Sequence, residues 1–395
     1  MPWKTTTMKD VRKEFALKAL ASGANLTALC LEYGVTRKTG REWRERARLE
    51  GINRLAERSR RPLSCPTRLS EGVVCQLIRL KLAYPHWGPE KIRDVYLHAY
   101  GQRLGVSSCH RVLQAAGFVQ PRRQRVRRAA TVVVGAVVAG APNDVWTVDF
   151  KGWWRLRDGQ RCEPLTVRDA FSKYILAASV VPDATGVTIG REFDRLFEIY
   201  GLPKVIKSDN GAPFACTSVP QGLSRLSAGW VALGIELEHS RPGHPQDNPA
   251  HERMHKDIQA EVASKVQIDR RAQQAALDLW RCEYNEIRPH QTLGGRRPAD
   301  LYTKSPRPRP TAPVLLDYGP GFLVRKVGTI GKIRFEGRPI FITTALAGWE
   351  VGLRLISPTQ LEVWFNYLLL GSVDLQTNRF SSAPSRSAKA VGLAA

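Results

Sequence analysis

The sequence lacks the features that mark secreted, zinc-binding or membrane-spanning proteins. Its seven cysteines are scattered, with no CxxC pair and no cysteine–histidine cluster at zinc-ligand spacing, so neither a disulfide framework nor a zinc finger is expected. The longest apolar run, around 129–142, is short and interrupted by glycine, and residues 1–9 lack the apolar centre of a signal peptide. We therefore expect a cytoplasmic protein with reduced thiols and no membrane partner.

Acidic residues are scarce relative to basic ones. The 395 residues include 60 Lys and Arg against 36 Asp and Glu, which gives a net charge of +24. Most of the excess lies in the first 130 residues and some in the last 95, whereas residues 131–300 contain as many acidic as basic residues. Basic flanks around a neutral centre predict that the flanks bind a polyanion such as nucleic acid.

Helical periodicity dominates the amino-terminal part. Between about residues 8 and 50, apolar residues recur at helical spacing, with Asn25 as a candidate cap and a second helix starting near Thr36. This pattern predicts a helix-turn-helix over 1–60, although the second helix could also be a merely solvated basic helix, and Gly40 within it costs about 1 kcal/mol. The candidate DNA contacts of this helix are Arg37, Lys38, Arg41 and Arg44.

A second helix-turn-helix-like unit is predicted over 61–120, with one helix starting at Pro89 and another capped by Ser107 and Ser108. The segment 121–142 that follows opens with five arginines in eight residues, which cannot pack a core. We expect an exposed basic linker, either bound to DNA or solvated. Its candidate DNA contacts are Arg122, Arg123, Arg125, Arg127 and Arg128.

The pattern changes to strands and helices over 143–302. Three strand-like runs precede the first helix, and helices and strands then alternate, which predicts a ribonuclease-H-like α/β core, with a plain doubly wound sheet as the alternative. Residues 303–317 have the composition of a linker. Short β-rich segments over 318–375 predict a small SH3-like β-barrel, and 376–395 are expected to be a disordered tail.

Asp149 stands in a strand-like run, where a carboxylate is unusual. Alternation along the strand sets it opposite in facing to Val148 and Phe150. Aspartate is depleted in strands and is costly among large apolar groups, so its presence indicates a ligand role. Phosphoryl transfer on DNA needs such carboxylates to hold a divalent cation at the scissile phosphate.

Two further acidic residues are candidates for the same site. Asp209 follows a predicted strand in an Asp-Asn-Gly turn, which is weak evidence alone but lies at the strand edge where α/β sheets usually place ligands. Glu252 falls in the first turn of a helix that Asn248 would cap. It either serves metal and phosphate together with His255 and Lys256 on the same face, or is a surface acid paired with Lys256.

Several segments carry a family resemblance together. They are WTVD at 146–149, LTVRD at 165–169, SKY at 172–174, SDNG at 208–211, NPAHERMH at 248–255, YNEIRPH at 284–290 and RPA at 297–299. With them, nearly the whole chain resembles the integrase-like DDE transposases of bacterial insertion sequences, relatives of retroviral integrases. No single segment would be specific, but the combination is.

The resemblance implies a function and a site. It assigns Asp149, Asp209 and Glu252 to the three acidic positions that hold two Mg²⁺ ions, with Mn²⁺ as a substitute, and it implies cleavage at element ends followed by 3′-OH strand transfer. The implied partners are double-stranded DNA, as element ends and target, and further copies of the chain in a dimer or larger assembly on the nucleoid. His255 and Lys256 would contact DNA near the scissile phosphate.

The chain departs from the family pattern in two places. The separation between Asp209 and Glu252 is longer than is common, and Pro249 replaces a glycine that usually precedes this glutamate. Two alternatives therefore stay open, a decayed or domesticated transposase that binds DNA without cutting it, and a ribonuclease-H-type nuclease that never joins ends. The competing acids are interpreted as structural for Asp169 and as a cap or DNA-facing residue for Asp247.

Overall fold

The computed structural model describes residues 7–58, 68–119, 138–216, 219–240 and 249–384. The chain divides into two compact units, Met1–Ser70 and Glu71–Ala395, and each is described by itself. Among the described residues, no helix combines the length and the apolar character needed to cross a bilayer. The five arginines between 122 and 128, and Asp247 and Asn248, lie outside the described residues.

Among its described residues, the first unit contains three α-helices, each begun by a side-chain cap. They are α1 (Met8–Leu20), α2 (Leu26–Glu32) and α3 (Arg37–Glu50). Thr7 and Asp10 form a reciprocal capping box at α1, Thr36 caps α3, and Asn25 accepts from two backbone N–H groups of α2, which confirms its predicted role. The helix-turn-helix pattern is therefore specified locally, by residues that satisfy the free N–H groups of each helix start.

Gly40 lies in the middle of α3, where a glycine normally weakens a helix. Here it is buried, and a Cβ built on it would overlap the sulfur of Cys30 and lie 3.0 Å from Phe15 Cζ. The missing side chain thus lets α3 approach α1 and α2 closely, in a core that includes Phe15, Ala19 and Cys30. Gly40 lowers the helix propensity of α3, but only a residue without a side chain allows this close packing.

The second unit begins with three helices, α4 (Glu71–Ala83), α5 (Pro89–Tyr100) and α6 (Val106–Ala115). Pro89 occupies the first position of α5, as predicted. The predicted cap of α6 is wrong, because the extended backbone ends at Gly105 and both Ser107 and Ser108 lie inside the helix. Ser108 Oγ accepts instead from Arg111, one turn further along α6, at 3.3 Å.

A five-stranded sheet follows, with strand order β5-β4-β1-β6-β7, here called the central sheet. Its strands are β1 (Val145–Phe150), β4 (Pro164–Asp169), β5 (Ile175–Val180), β6 (Val205–Ser208) and β7 (Glu236–His239), and a short hairpin of β2 (Trp154–Arg155) and β3 (Arg161–Cys162) lies between β1 and β4. β1, β4 and β5 pair antiparallel, whereas β1, β6 and β7 pair parallel. This mixed topology matches the ribonuclease-H-like prediction and excludes the plain doubly wound alternative.

Helices cover both faces of the central sheet. They are α7 (Gly186–Tyr200), α8 (Arg225–Ala232), α9 (Pro249–Ile258), which continues into a π-helical turn at Gln259–Ala263, and α10 (Arg270–Glu286). On one face, Trp146 and Val148 of β1 pack with aromatic residues of α7 and α8. On the other, residues of β5 pack with α9 and α10. We call these the α7/α8 face and the α9/α10 face.

The carboxy-terminal part is built from seven strands. They are β8 (Leu323–Lys326), β9 (Lys332–Phe335), β10 (Arg338–Phe341), β11 (Glu350–Ser357), β12 (Gln360–Phe365), β13 (Leu368–Asp374) and β14 (Arg379–Ser382). They pair as a five-stranded sheet, β14-β13-β12-β11-β8, and a β9–β10 hairpin. The pairing is that of an open sheet, so closure into a small barrel is not confirmed. β14 corrects the expected disordered tail over 376–384, because its backbone pairs with β13.

The carboxy-terminal sheet packs on the core rather than hanging from a free linker. Its apolar residues share a cluster with Val231 and Ala232 of α8, and Asn366 Nδ2 donates to Val231 O at 2.8 Å. In the predicted linker, Ser305 Oγ donates to Leu202 O at 2.6 Å, and Arg309 forms ion pairs on α7. These contacts give the segment 303–317 a fixed path along the core.

Candidate active site

Asp149 and Asp209 are brought together by two adjacent parallel strands. β1 and β6 are paired in register up to Thr147 and Lys207, and each aspartate lies two residues further along the chain, Asp149 within β1 and Asp209 directly after β6. Because parallel strands end at the same edge of a sheet, the two carboxylates meet there. The pKa of Asp149 is raised to about 6, first by burial and second by the charge of Asp209. A cation at this edge would relieve both effects.

The turn after β6 aims the Asp209 carboxylate. Gly211 N donates to Asp209 Oδ1 at 3.2 Å, and Asn210 Nδ2 donates to the carbonyl of Ser240, which follows β7. A Cβ on Gly211 would lie 3.0 Å from Asp209 Oδ2. The Asp-Asn-Gly sequence therefore has a structural role in this turn, and it leaves one carboxylate oxygen without a role in it.

Two histidines of α9 attach the helix to β1 and β4 beside Asp149. His251 is fully buried, with Nδ1 2.9 Å from Thr147 Oγ1 and Nε2 2.8 Å from Thr166 Oγ1. His255 Nε2 lies 2.8 Å from the same Thr166 hydroxyl. Since that hydroxyl donates to Asp149 O, it must accept from both rings. Thr166 thus joins α9 to the residue that carries the first carboxylate.

His255 is therefore held by the sheet. Its side chain is 13% exposed, its Nδ1 lies 3.8 Å from Asp149 Oδ2, and its pKa is lowered to about 4 by burial and by the charge of Lys151. A neutral ring at pH 7 is a hydrogen-bonding group and not a cation. If His255 contacts DNA as predicted, it does so as a neutral ring. In the structure, the ring of His255 lies next to Thr166 and Asp149.

Glu252 lies in the first turn of α9, on the solvent side of this arrangement. Its Oε2 is 3.7 Å from Lys256 Nζ, and the two side chains are 45% and 74% exposed. Among the described residues, no three His, Cys, Asp or Glu side chains converge closely enough to hold a metal ion. The structure thus brings Asp149 and Asp209 together and leaves Glu252 in the surface pair with Lys256 that the sequence offered as an alternative.

The end of α9 is anchored by a buried arginine. Arg288 Nη2 lies 2.9 Å from Asp257 Oδ2, and its Nη1 lies 3.1 Å from Glu261 Oε2. Its guanidinium also stacks over Tyr284 and over Trp87, which begins the turn into α5. Arg288 therefore braces the end of α9 against α10 and the turn before α5.

Other polar residues fix the sheet around the site. Asn285 of α10 exchanges two hydrogen bonds with the backbone of Ile175 on β5, at 2.8 and 2.9 Å. Asp169 accepts from Asn143 N and from Ser172 N and Oγ, which confirms its structural interpretation. The roles of Thr166, His251 and Asn285 were not predictable individually, although each is a polar residue inside an otherwise apolar strand or helix face.

The predicted DNA contacts of the first unit lie on α3. Arg37, Lys38 and Arg41 are exposed, and Arg44 is half-buried. They occupy the helix that a helix-turn-helix inserts into the major groove. Their exposure is compatible with that role, which stays a prediction.

Comparison with known proteins supplies the family. The integrase core domain family matches residues 139–245 and again residues 233–298. A helix-turn-helix domain family matches 12–62, and a homeodomain-like domain family matches 39–113. These matches cover the central sheet with its helices and the amino-terminal helices.

Two insertion-element proteins are similar over much of the chain. The IS407 uncharacterized 31.7 kDa protein of Burkholderia multivorans is 29% identical over 214 residues, covering 53% of this chain and 74% of the relative. The IS476 uncharacterized 39.2 kDa protein of Xanthomonas euvesicatoria is 26% identical over 262 residues, covering 65% and 71%.

A solved structure, the catalytic core domain of BIV integrase, is 22% identical, covers 40% of this chain and 93% of its own, and has a TM-score of 0.31. The family conclusion rests on the domain matches and the insertion-element relatives. Residues 139–298 therefore match integrase core domains, and together with the insertion-element relatives these matches support an integrase-like DNA transposase of the insertion-sequence type.

Proposed function

We propose that Asp149, Asp209 and Glu252 are the three catalytic acids of this transposase and hold two Mg²⁺ ions, for which Mn²⁺ can substitute. The observation that carries the proposal is the position of Asp149 and Asp209 near the ends of the adjacent parallel strands β1 and β6, where burial and the charge of Asp209 raise the pKa of Asp149. When bound, divalent cations polarise the phosphate and make a water or a 3′-hydroxyl more acidic.

Glu252 is the ligand that must move. It is one turn from His255, whose ring lies beside Asp149, so the same helix carries both residues to this edge of the sheet. Its present contact with Lys256 is an exposed ion pair, worth about 0–1 kcal/mol. Such a pair is weak enough that rotation of the Glu252 side chain toward the two aspartates costs little.

The protein's own residues then have distinct tasks. Thr166 and the two histidines of α9 hold Asp149 and Glu252 on one rigid frame. The basic flanks bind the DNA, so affinity comes mainly from outside the neutral central part. Joining two element ends to a target requires more than one active site, and we propose a dimer or larger assembly on double-stranded DNA.

Cleavage of labelled duplexes that contain the ends of the parent element tests the three acids. Asp149→Asn, Asp209→Asn and Glu252→Gln are each expected to abolish nicking and 3′-OH strand transfer in Mg²⁺ and Mn²⁺, while DNA binding is retained. Asp278→Asn is the matched control, because Asp278 is an exposed acid on α10 whose side chain lies 3.8 Å from Arg281. It should cut and join at the wild-type rate.

The same assay separates the alternatives. Cutting without any joined product would identify a nuclease, and specific binding without cutting in Mn²⁺ would identify a DNA-binding protein that has lost catalysis. Nicking by Asp149→Asn at the wild-type rate would remove the proposed site altogether. Loss of binding with increasing salt, with a slope of about −0.9 per neutralised phosphate on logarithmic axes, checks that the flanks act electrostatically.

A further inference from the structure

The hairpin that follows β1 presents an exposed tryptophan between two arginines. Trp153, just before β2, is 53% exposed. The guanidinium carbons of Arg155 and Arg161 lie 5.9 and 5.0 Å from the centre of its ring. Large aromatic side chains are usually well buried, so an exposed indole flanked by cations needs an explanation beyond the folding of the chain.

The hairpin that carries Trp153 is firmly attached to the core. Leu156 and Cys162 are buried, and the neighbouring Trp154 packs with the cluster on the α9/α10 face. The turn is also bonded to the loop before α10, since Arg157 N donates to Gln267 O at 3.1 Å and Asp158 N to Ile268 O at 3.0 Å. Trp153 is therefore exposed on a fixed platform.

The charges around Trp153 favour nucleic acid over an apolar protein partner. Residues 151–163 contain four basic and two acidic side chains. One acid, Glu163, pairs with Arg161 at 2.7 Å, and the other, Asp158, bonds Gln160 within the turn. Arg155 donates to Gly159 O at 3.2 Å and has its charge available for phosphate. An aromatic ring beside such cations is the arrangement that stacks bases and neutralises the strand that carries them.

The short segment of chain between Asp149 and Trp153 limits the distance from Trp153 to the candidate catalytic edge. Trp153 is four residues after Asp149, and four residues span at most about 14 Å when fully extended. Successive nucleotides of a strand are about 3.4 Å apart along the helix axis. This span joins backbone atoms and the side chains add to it, so a base over Trp153 is a few nucleotides away from a phosphate at Asp149.

We propose that Trp153 stacks on an unpaired base of the DNA strand, a few nucleotides away from the phosphate that is cut. Bases inside a duplex already stack on each other, so this contact selects DNA that is frayed or single-stranded at that position. The inference rests on the proposed function for the identity of the catalytic edge. It adds a preference for locally opened DNA.

Binding of the whole chain, without divalent metal, to two probes tests this inference. One probe is a blunt duplex of about 20 base pairs, and the other is the same duplex with a tail of about four deoxyadenosines. Trp153→Ala is expected to lower the affinity for the tailed probe by about 5- to 150-fold, the range of a single base–aromatic stack. Its affinity for the blunt probe should stay within about twofold, because the phosphate contacts remain.

Two variants sharpen the comparison. Trp153→Phe keeps an aromatic face and should retain most of the preference for the tail. Phe341→Ala removes a ring of similar exposure from β10 and should leave that preference unchanged. A tail in which 5-iododeoxyuridine replaces one deoxyadenosine should photocrosslink to the peptide that contains Trp153.

Equal affinity of Trp153→Ala and the wild type for the tailed probe, or equal losses on both probes, would overturn the inference. The assay needs no cleavage, so it is independent of the catalytic acids. If Asp149→Asn still cuts DNA, the proposed function fails whatever Trp153 does; if it does not cut but Trp153→Ala keeps the tail preference, only the stacking inference fails.

Discussion

The two faces of the central sheet are held to their helices by different kinds of contact. On the α7/α8 face, Trp146 and Val148 pack against Phe193, Phe197 and Trp230 in a cluster of apolar side chains. Burial of such surface stabilises the fold strongly but is non-directional. This face therefore supplies stability without needing to specify the position of any one atom.

On the α9/α10 face, directional polar contacts accompany the apolar cluster. The histidines of α9 bond Thr166, Asn285 bonds the backbone of β5, and Arg288 pairs with two acids at the end of α9. Hydrogen bonds and buried ion pairs require particular distances and angles. Glu252 is therefore carried by the face on which polar contacts fix the positions of the helices relative to the sheet.

Arg288→Ala should have the largest effect on the polar contacts of the α9/α10 face. Removing the guanidinium takes the nearer cation from Asp257, which keeps only the exposed Arg253 at 3.7 Å, and removes the cation that pairs with Glu261. Both acids are largely buried, so the expected loss is about 3–5 kcal/mol of unfolding free energy. Urea unfolding of the full chain, followed by tryptophan fluorescence, measures it. Arg281→Ala, which removes a more exposed arginine 3.8 Å from its acid, is the control and should cost less than about 1 kcal/mol.

A second substitution distinguishes the faces further. Adding Asp257→Asn to Arg288→Ala should recover part of the loss, because it removes an uncompensated charge. Phe193→Ala on the α7/α8 face should also cost about 3–5 kcal/mol, because it leaves a cavity. If Asp257→Asn gives the double variant no gain, the ion pairs are not the reason for the instability.

Thr166→Val should lower both the stability of the fold and the activity. The substitution keeps the shape of the side chain but leaves the Nε2 groups of His251 and His255 without an acceptor, at about 1–3 kcal/mol for each buried donor. Loss of such a supporting contact beside metal ligands typically lowers activity about 10- to 100-fold. Thr166→Ser keeps the hydroxyl and should cut DNA at nearly the wild-type rate, and equal losses in both variants would contradict the proposed role.

The pH dependence of Asp149 gives a test that needs no cleavage. Its pKa is about 6 in the folded protein against an ordinary value of 3.8, so its ionisation opposes folding. The penalty is absent below about pH 3.8, grows between these two values and is complete above about pH 6. Without metal, Asp149→Asn should therefore melt at a higher temperature than the wild type at pH 8 and at the same temperature near pH 4.

Addition of Mg²⁺ checks the cause of this difference. If the cation binds at the pair of aspartates, it should stabilise the wild type more than Asp149→Asn at pH 8 and so reduce the difference in melting temperature. A wild-type protein that is already the more stable of the two at pH 8 without metal would contradict the raised pKa.

Glu252→Gln should have the smallest effect on stability. Its contact with Lys256 is exposed, so the unfolding free energy should change by less than about 1 kcal/mol. The melting temperature measured without metal checks this. A large loss would show that Glu252 has a structural partner, and its surface position could then no longer be regarded as a resting state of a metal ligand.

Much of the local structure was predictable. The cap at Asn25 and the proline at the first position of α5, Pro89, marked helix starts, and alternation in β1 set Asp149 on the face opposite to Val148. The Ser107–Ser108 cap was predicted wrongly because glycine two residues earlier also begins a helix, and serines inside a helix can bond within it. Local patterns therefore succeed where a single side-chain preference decides the outcome.

The contacts that define the site were harder to predict from the sequence. From the sequence alone, Gly40 weakens a helix, and only the structure shows that Cys30 and Phe15 pack against it. Likewise, only the structure shows that Arg288 pairs with Asp257 and Glu261. In each case the partner is distant in sequence. A pattern of residue types contains no information on which of several compatible partners will be nearest.

By itself, the sequence determined the order of strands and helices, the basic flanks and the identity of the three candidate acids, because these depend on composition, spacing and motif. Only the tertiary structure decided that Asp149 and Asp209 meet at one edge, that two histidines of α9 join on Thr166, and that Glu252 rests at the surface. The reason is that strand register and helix packing bring together groups far apart in the chain, and their distances, burial and charge then set what each can do.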